Sequence, residues 1–492
     1  TLSKKYKLIL ALLFGVLVID SCNENGLELT NPNELAPETY FENETQVQSA
    51  VNAIYANLQT RGLYTRHMFF MMDNMAHENG GNNQLETDKQ QYLDFSFDSS
   101  HGGIKAYWDS CFRGINKANF VIGNEEKINA ILPSEMSDES KSKFLGEAKF
   151  LRAFYYFLLV TRYGDVPLMT SPPQGTEGFS RSPKEDVYQQ IITDLQDASA
   201  TLLPTGEDQK GRATKGAAIA LLGKTYLFMG NKVAALTEFN KIYGTYTLED
   251  NYFDNFMEET EHGSEVIFAV EYDDALGDGN KWDSDVSGAG VNNVTFRGQE
   301  YGFNDWFNVF PSDDLLNEYE AGDPRYKDNF YINGDTFAGG TVATFPSNNG
   351  GNAGWKKYQN YYKDANEDQA SGINMNVIRY ADVLLMMAEC TYESSPGIAM
   401  GYINEVRSRP STNMPNVTGL TGAALFDAIV HERKVELAGE QVRFPDLVRW
   451  GLAQSVLGGF GFQTGKHEFF PIPDAEISSN ENISSADQNP GY

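Results

Sequence analysis

Aromatic side chains gathered on a polar stretch offer stacking chemistry, and this chain sets Trp282, Tyr301, Phe303 and Trp306 in the segment from Lys281 to Trp306. Asn280, Asn292, Asn293, Arg297, Gln299 and Asn304 stand on or beside the same segment. Flat apolar faces accept the C–H groups of a sugar ring, while amides, carboxylates and guanidinium groups match its hydroxyls. The candidate ligand contacts are therefore Trp282, Tyr301, Trp306, Asn304 and Arg297, with Asp73 and Asn74 completing the site from a second polar stretch that also holds Asn82. Trp282 has charged or polar residues on both sides and reads as exposed. Trp306 reads equally as a platform or as a ring packed with Phe307 beneath a helix starting near Pro311.

Bond-making chemistry has no comparable signal. The six histidines never fall into HExxH or another metal spacing, and neither a GxSxG elbow nor a phosphate-cradling loop occurs. With 68 Asp and Glu residues, two carboxylates near any loop carry no information, so a glycosidase reading lacks a warrant. The chain is read as a non-enzyme without cofactor. A weak calcium signal exists in Asp283-Ser284-Asp285-Val286-Ser287-Gly288, but position twelve of that loop is Val294 where a bidentate glutamate is needed; Asp364, Asn366 and Asp368 repeat the alternation as weakly. A net charge of −30 excludes nucleic acid, which needs a basic footprint, and disfavours contact with anionic lipid.

The elements that must carry these loops are helices. From Ala217 to Ile242 the spacing is that of a tetratricopeptide unit: small Gly223 and Ala235 let two helices approach, while Tyr226 and Phe239 fill the space beside them. Weaker echoes pair Ala153 and Tyr156 with Ile191, Leu195 and Ala198, and Ala388 with Ala399, Ile403 and Val406; Trp108, Phe112 and Ile115 pair with a helix around Val47 to Leu58. The expected fold is mostly α, with about four tetratricopeptide-type helix pairs in a curved stack and a loop-rich, partly irregular ligand-binding portion at about 251–376. In that portion Val266 to Tyr272 reads as a strand and Pro311 to Glu320 as a helix capped by Ser312. Met71 to Ile104 reads as a second long loop, and Pro172 to Ser180 as a connector. Trp108 and Trp450 fall in helical motifs and read as interior, as do Cys111 and Cys390, whereas His431 reads as solvated. Trp355 and the tyrosines at 358, 361 and 362 read as a strand and its turn.

Near the C-terminus, Ile429 to Ala438 gives a half-buried helix with charged flanks at Glu432, Arg433, Lys434 and Glu436, ending near Gly439. Pro445 opens a second helix, Asp446 to Leu457. Phe469 to Tyr492, rich in Pro, Asn and Ser, predicts an ordered tail without regular helix. The segments ERKVELAGEQVRFPDLVRW and FPIP…QNPGY, together with FLRAFYYFLLVTRYGDVPL, GRATKGAAIALLGKTYLFMG and VIRYADVLLMMAE in that order, resemble the SusD/RagB family of outer-membrane nutrient-binding lipoproteins. The resemblance spans nearly the whole chain. It implies a cell-surface protein that captures a nutrient oligomer, a glycan or in some members a peptide, and delivers it to a TonB-dependent SusC-like transporter against which the helix stack packs. It brings no transferable ligand motif. A tetratricopeptide adaptor that binds only protein is the competing class, and the long polar loops have no purpose in it.

The N-terminal residues fit the family reading. Lys4, Lys5 and Lys7 precede an apolar run from Leu8 to Ile19, too short for the ~20 residues of a spanning helix. Ile19-Asp20-Ser21-Cys22 resembles a lipobox, with Asp20 an unusual occupant, so Cys22 is the expected lipidation site. The expected organisation is a signal peptide at 1–21, a lipidated tether at 22–38 and a body at 39–492.

Overall fold

The computed structural model describes residues 40–172, 178–277, 292–342, 345, 351–367 and 369–492. Its frame is built from α1 (Glu44–Ala56), α2 (His67–Met75), α3 (Thr87–Asp94), α4 (Gly102–Ile122), α5 (Asp138–Tyr163), α6 (Lys184–Thr201), α7 (Lys215–Phe228), α8 (Lys232–Phe239), α9 (Tyr380–Thr391), α10 (Pro396–Arg407), α11 (Gly422–Glu436) and α12 (Arg443–Arg449). Helix starts follow local chemistry: Asn43 accepts the Gln46 N–H at 3.1 Å, and Ser137 accepts the Ser140 N–H at 3.0 Å ahead of Asp138 and Glu139.

Helices α1 and α4, α5 and α6, α7 and α8, and α9 and α10 pack as the four expected pairs, and each pair packs on the next. Close approach needs missing side chains. A Cβ on Gly223 would lie 2.5 Å from the Phe239 ring, and one on Gly114 would enter the Tyr155 ring. Gly223→Ala is therefore expected to destabilise the protein by about 1–3 kcal/mol, although alanine is the better helix former; a urea midpoint equal to that of the parent would contradict this packing.

The loop-rich portion rests on the stack through short antiparallel pairs. Strand β1 (Asn79–Gly81) pairs with β3 (Val309–Pro311), β2 (Val266–Val270) with β6 (Met375–Arg379), and β4 (Phe330–Tyr331) with β5 (Gly354–Trp355). Trp355 and Tyr361 are fully buried and Tyr358 nearly so.

Four local readings need correction. Met71 to Ile104 is not one loop, because it holds the end of α2, β1 and α3; α2 is buried on every side, so it has no polar face whose period could be read. The Pro311 helix is a single turn, Asp313–Leu316, capped by Ser312 Oγ accepting the Leu315 N–H at 3.1 Å. The second C-terminal helix is α12 with Pro445 in its first turn, and after Gly451 at φ +70° a separate turn, Ala453–Leu457, follows. Trp450 is half-buried, its ring 4.8 Å from the Arg449 guanidinium. In the tail only Asp474–Ser479 is α-helical, and Asn489 Nδ2 fastens the end of the chain by donating to Tyr163 O at 2.9 Å and Phe470 O at 2.7 Å.

The largest departure concerns the charges of α11. Glu432, Arg433, Lys434 and Glu436 are buried, not flanking. Glu436 binds Arg379 at 2.7 Å, Arg409 at 2.8 Å and Arg325 at 2.9 Å; Glu432 binds Arg325 at 2.6 Å and Arg407 at 2.9 Å. Arg379 also meets Glu265 at 2.5 Å and Glu440 at 2.8 Å, which ties the second strand pair to the C-terminal motif. On the stack side, Arg433 bridges Asp382 at 2.8 Å and Asp446 at 2.7 Å. His431 lies between Glu318 at 2.7 Å and Glu320 at 3.3 Å, which hold its imidazolium form and raise its pKa against the effect of burial. Cys111 is buried, Cys390 half-buried, and both are free.

Candidate functional site

The helical turn Arg297–Tyr301 joins the frame to the aromatic loop. Beneath it, Asp73 on α2 accepts from Tyr301 Oη at 2.9 Å and Arg297 Nη1 at 3.2 Å. Arg297 Nη2 also donates to Gly439 O at 3.1 Å, and its guanidinium lies 4.2 Å from the Tyr301 ring centre. Asn79 Nδ2 donates to Asn74 Oδ1 and Tyr301 Oη, both at 2.9 Å, while its Oδ1 accepts from Trp355 Nε1 at 2.8 Å. Asp73, Asn74, Arg297 and Tyr301 are each fully buried. Burial pushes the Asp73 carboxyl up and the Tyr301 phenol well up, even though Arg297 favours both anions.

These four expected contacts are therefore brought together, but as a sealed cluster that joins α2, the aromatic loop and the C-terminal motif. A ligand in solvent cannot reach them in this arrangement. Asn82 is likewise interior and donates to Phe307 O at 2.7 Å. Asparagine and aspartate on a glycine-rich stretch read as surface because burying them costs free energy unless every polar atom finds a partner, and here the partners come from distant segments.

Beyond Tyr301 the chain emerges. Asn304 is exposed and Trp306 is 41% exposed, between half-buried Asp305 and buried Phe307. Phe307 adopts φ +48°, a left-handed turn that sends its ring inward against Phe345 while its neighbour points out. The turn is pinned on several sides. Trp306 N–H donates to Gln299 O at 3.2 Å, Phe307 N–H to Gly302 O at 3.1 Å, and Asn308 N–H to Glu300 O at 2.9 Å. Asp305 accepts from Tyr361 Oη at 2.6 Å and the Glu367 N–H at 2.7 Å; Asn304 Nδ2 donates to Ala365 O at 3.0 Å and Asn366 Oδ1 at 2.9 Å. The result is a turn whose backbone is held, with Trp306 exposed on it rather than packed in the core, and with Asn304 bound to exposed Asn366. Asp305 and Tyr361 position the turn. No sequence signal marks them, since they stand 56 positions apart in the chain.

A cleft of about 500 Å³ lies elsewhere on the loop-rich portion, lined by Gln59, Lys210, Glu261, His262, Glu271 and Asn293 among others. Asp273 N–H donates to Asn293 O at 2.8 Å, which ties together the chain on either side of residues 278–291. Trp282 and the Asp283 to Gly288 calcium signal lie outside the described residues, as do Asp368 and Cys22. Asp364 and Asn366 are exposed, and no group of three potential metal-holding side chains occurs among the described residues.

The described residues form a stack of helical hairpins that presents irregular, aromatic-bearing loops. Residues 26–227 match the family model described as "Starch-binding associating with outer membrane", and residues 264–467 match that of the SusD family. The chain belongs to the SusD/RagB family. It is 28% identical to SusD-like protein P2 of Formosa agariphila, over 99% of this chain and all of that one. Among solved structures, a SusD superfamily protein from Bacteroides vulgatus superposes with a TM-score of 0.79 at 25% identity, and a laminarin-binding SusD-like protein with 0.77 at 28%. Each covers 92% of this chain and 100% of its own. No described helix is long and apolar enough to cross a membrane.

Proposed function

We propose that the protein is a lipid-anchored surface receptor that binds a nutrient glycan at Trp306 and delivers it to a TonB-dependent SusC-like transporter, making and breaking no bond. The observation that carries this reading is the exposed side chain of Trp306 on a pinned turn that also presents Asn304 and, bound to it, Asn366. A ring carried on a backbone that is already held needs less ordering when a sugar stacks on it, and the amides on the same turn offer partners for hydroxyls. Family membership and the laminarin-binding relative support the ligand class. Trp282 is proposed as a second stacking ring for the ligand, and Cys22 as the acylated residue that holds the protein at the outer membrane. The helix stack is proposed as the surface that meets the transporter, which leaves the loops free to enclose ligand. Arg297, Tyr301, Asp73 and Asn74 act on the site through the loop they hold.

The test is calorimetry of the purified protein against a polysaccharide panel that includes laminarin, repeated with Trp306→Ala. Burying an aromatic face is worth about 1.5–3 kcal/mol, so the variant is expected to bind about tenfold or more weakly, with an unchanged urea midpoint because the side chain is exposed. Equal affinity in the two proteins would remove Trp306 from the site. Failure of every glycan alongside binding of peptides would overturn the ligand class.

A further inference from the structure

Arg162, in the last turn of α5, is 6% exposed and has no carboxylate within ion-pair distance among the described residues. Its Nε faces Met72 Sδ at 3.1 Å, and Nη1 reaches only Thr161 O at 3.4 Å. By contrast, Arg433 and Arg449 hold Asp446, and Arg152 on the same helix holds Asp194 at 2.7 Å. The carbonyl end of α5 favours a cation, yet this effect is weaker than the penalty of withdrawing an unpaired guanidinium from water. Burial lowers the Arg162 pKa accordingly.

The guanidinium lines a partly open cavity of about 50 Å³ where α5 and α7 meet β6 and the C-terminal motif. Phe154, Phe157, Leu221 and Ile378 form apolar walls. The remaining charged groups on the wall are already satisfied: Lys224 by Asp382 at 3.0 Å, Glu440 by Arg379 at 2.8 Å, and Asp446 by Arg433 at 2.7 Å. One uncompensated positive charge thus faces a space larger than the ~10–15 Å³ that a single water requires.

We propose that this cavity is a structural site for one small monovalent anion, of halide or formate size, held by Arg162. The bound anion completes the electrostatics of the junction between the helix stack and the C-terminal motif, in a cavity whose lining does not include Trp306. The ligand is a counter-ion, independent of whatever polymer the surface loops take.

Two measurements test it. In crystals of the protein grown with sodium bromide, an anomalous peak is expected in the cavity against the Arg162 guanidinium. In solution, replacing isethionate, too bulky for the cavity, by chloride at constant ionic strength is expected to raise the Tm by on the order of 1–2 °C, as binding to the folded state alone requires. Arg162→Met, which keeps length and removes charge, is expected to abolish that rise. A cavity without bromide, holding water only, overturns the proposal, as does an equal chloride response in Arg162→Met. Should that variant fail to fold, the bromide map and the chloride response of the parent protein decide. Neither outcome bears on glycan binding, so the two proposals fail separately.

Discussion

Glu436→Gln is expected to destabilise the protein by about 3–5 kcal/mol, the cost of stripping a buried charge from its partners. Glu436 Oε1 accepts from Arg379 at 2.7 Å and Arg409 at 2.8 Å, and Oε2 from Arg325 at 2.9 Å and Arg409 at 3.2 Å. Those guanidinium groups hold the carboxyl well below its ordinary range against the effect of burial. Glutamine retains one acceptor and turns an NH₂ donor towards two arginines that only donate, so shape is preserved while the compensating charge is lost. Glu393→Gln serves as the control: its pair with Lys232 at 3.1 Å is exposed, and exposed pairs contribute about 0–1 kcal/mol. The measurement is the urea midpoint of both variants. Similar small shifts in the two would show that the arginine cluster tolerates a missing charge.

Glu78→Gln is expected to stabilise the protein increasingly as the pH rises above about 4.5. The Glu78 side chain is buried; Oε2 accepts the Gly439 N–H at 3.1 Å and Oε1 has no partner. Burial, reinforced by the Asp73 charge, pushes its carboxyl up to about 8 from an ordinary 4.5. Between those values the folded state keeps a proton that the unfolded chain has released. Stability from this group is complete below about pH 4.5, falls as pH rises, and is lost above about 8. At 1.36 kcal/mol per unit the full range is on the order of several kcal/mol. Glutamine mimics the protonated carboxyl at every pH. The variant should therefore match the parent at pH 5 and exceed it by ~2–4 kcal/mol at pH 8.5, read as the difference in urea stability at the two pH values. A difference independent of pH would mean that Glu78 is ionised throughout. Glu367, also raised to about 8 by burial, contributes a decline of the same sign in both proteins and cancels in the comparison.

These charges show where sequence reasoning reached its limit. A run such as Glu432-Arg433-Lys434-Val435-Glu436 reads as a solvated flank, because desolvating an ion is costly and only matched partners offset it. The partners of Glu436 lie at 325, 379 and 409, and that of Asp73 at 297; nothing within a helical turn announces them. The same blindness placed Tyr301 and Arg297 at the surface. Asn304 and Trp306 differ only in lying past the point where the buried cluster ends, and that point is set by Phe307 turning its ring inward.

The four helix pairs, their small-residue crossings and the family motifs were written in the chain itself, because helical packing repeats every three to four residues and leaves a local period. The tertiary structure alone decided which polar residues face solvent, since burial of a charge or an amide depends on counterparts that folding brings in from up to several hundred positions away.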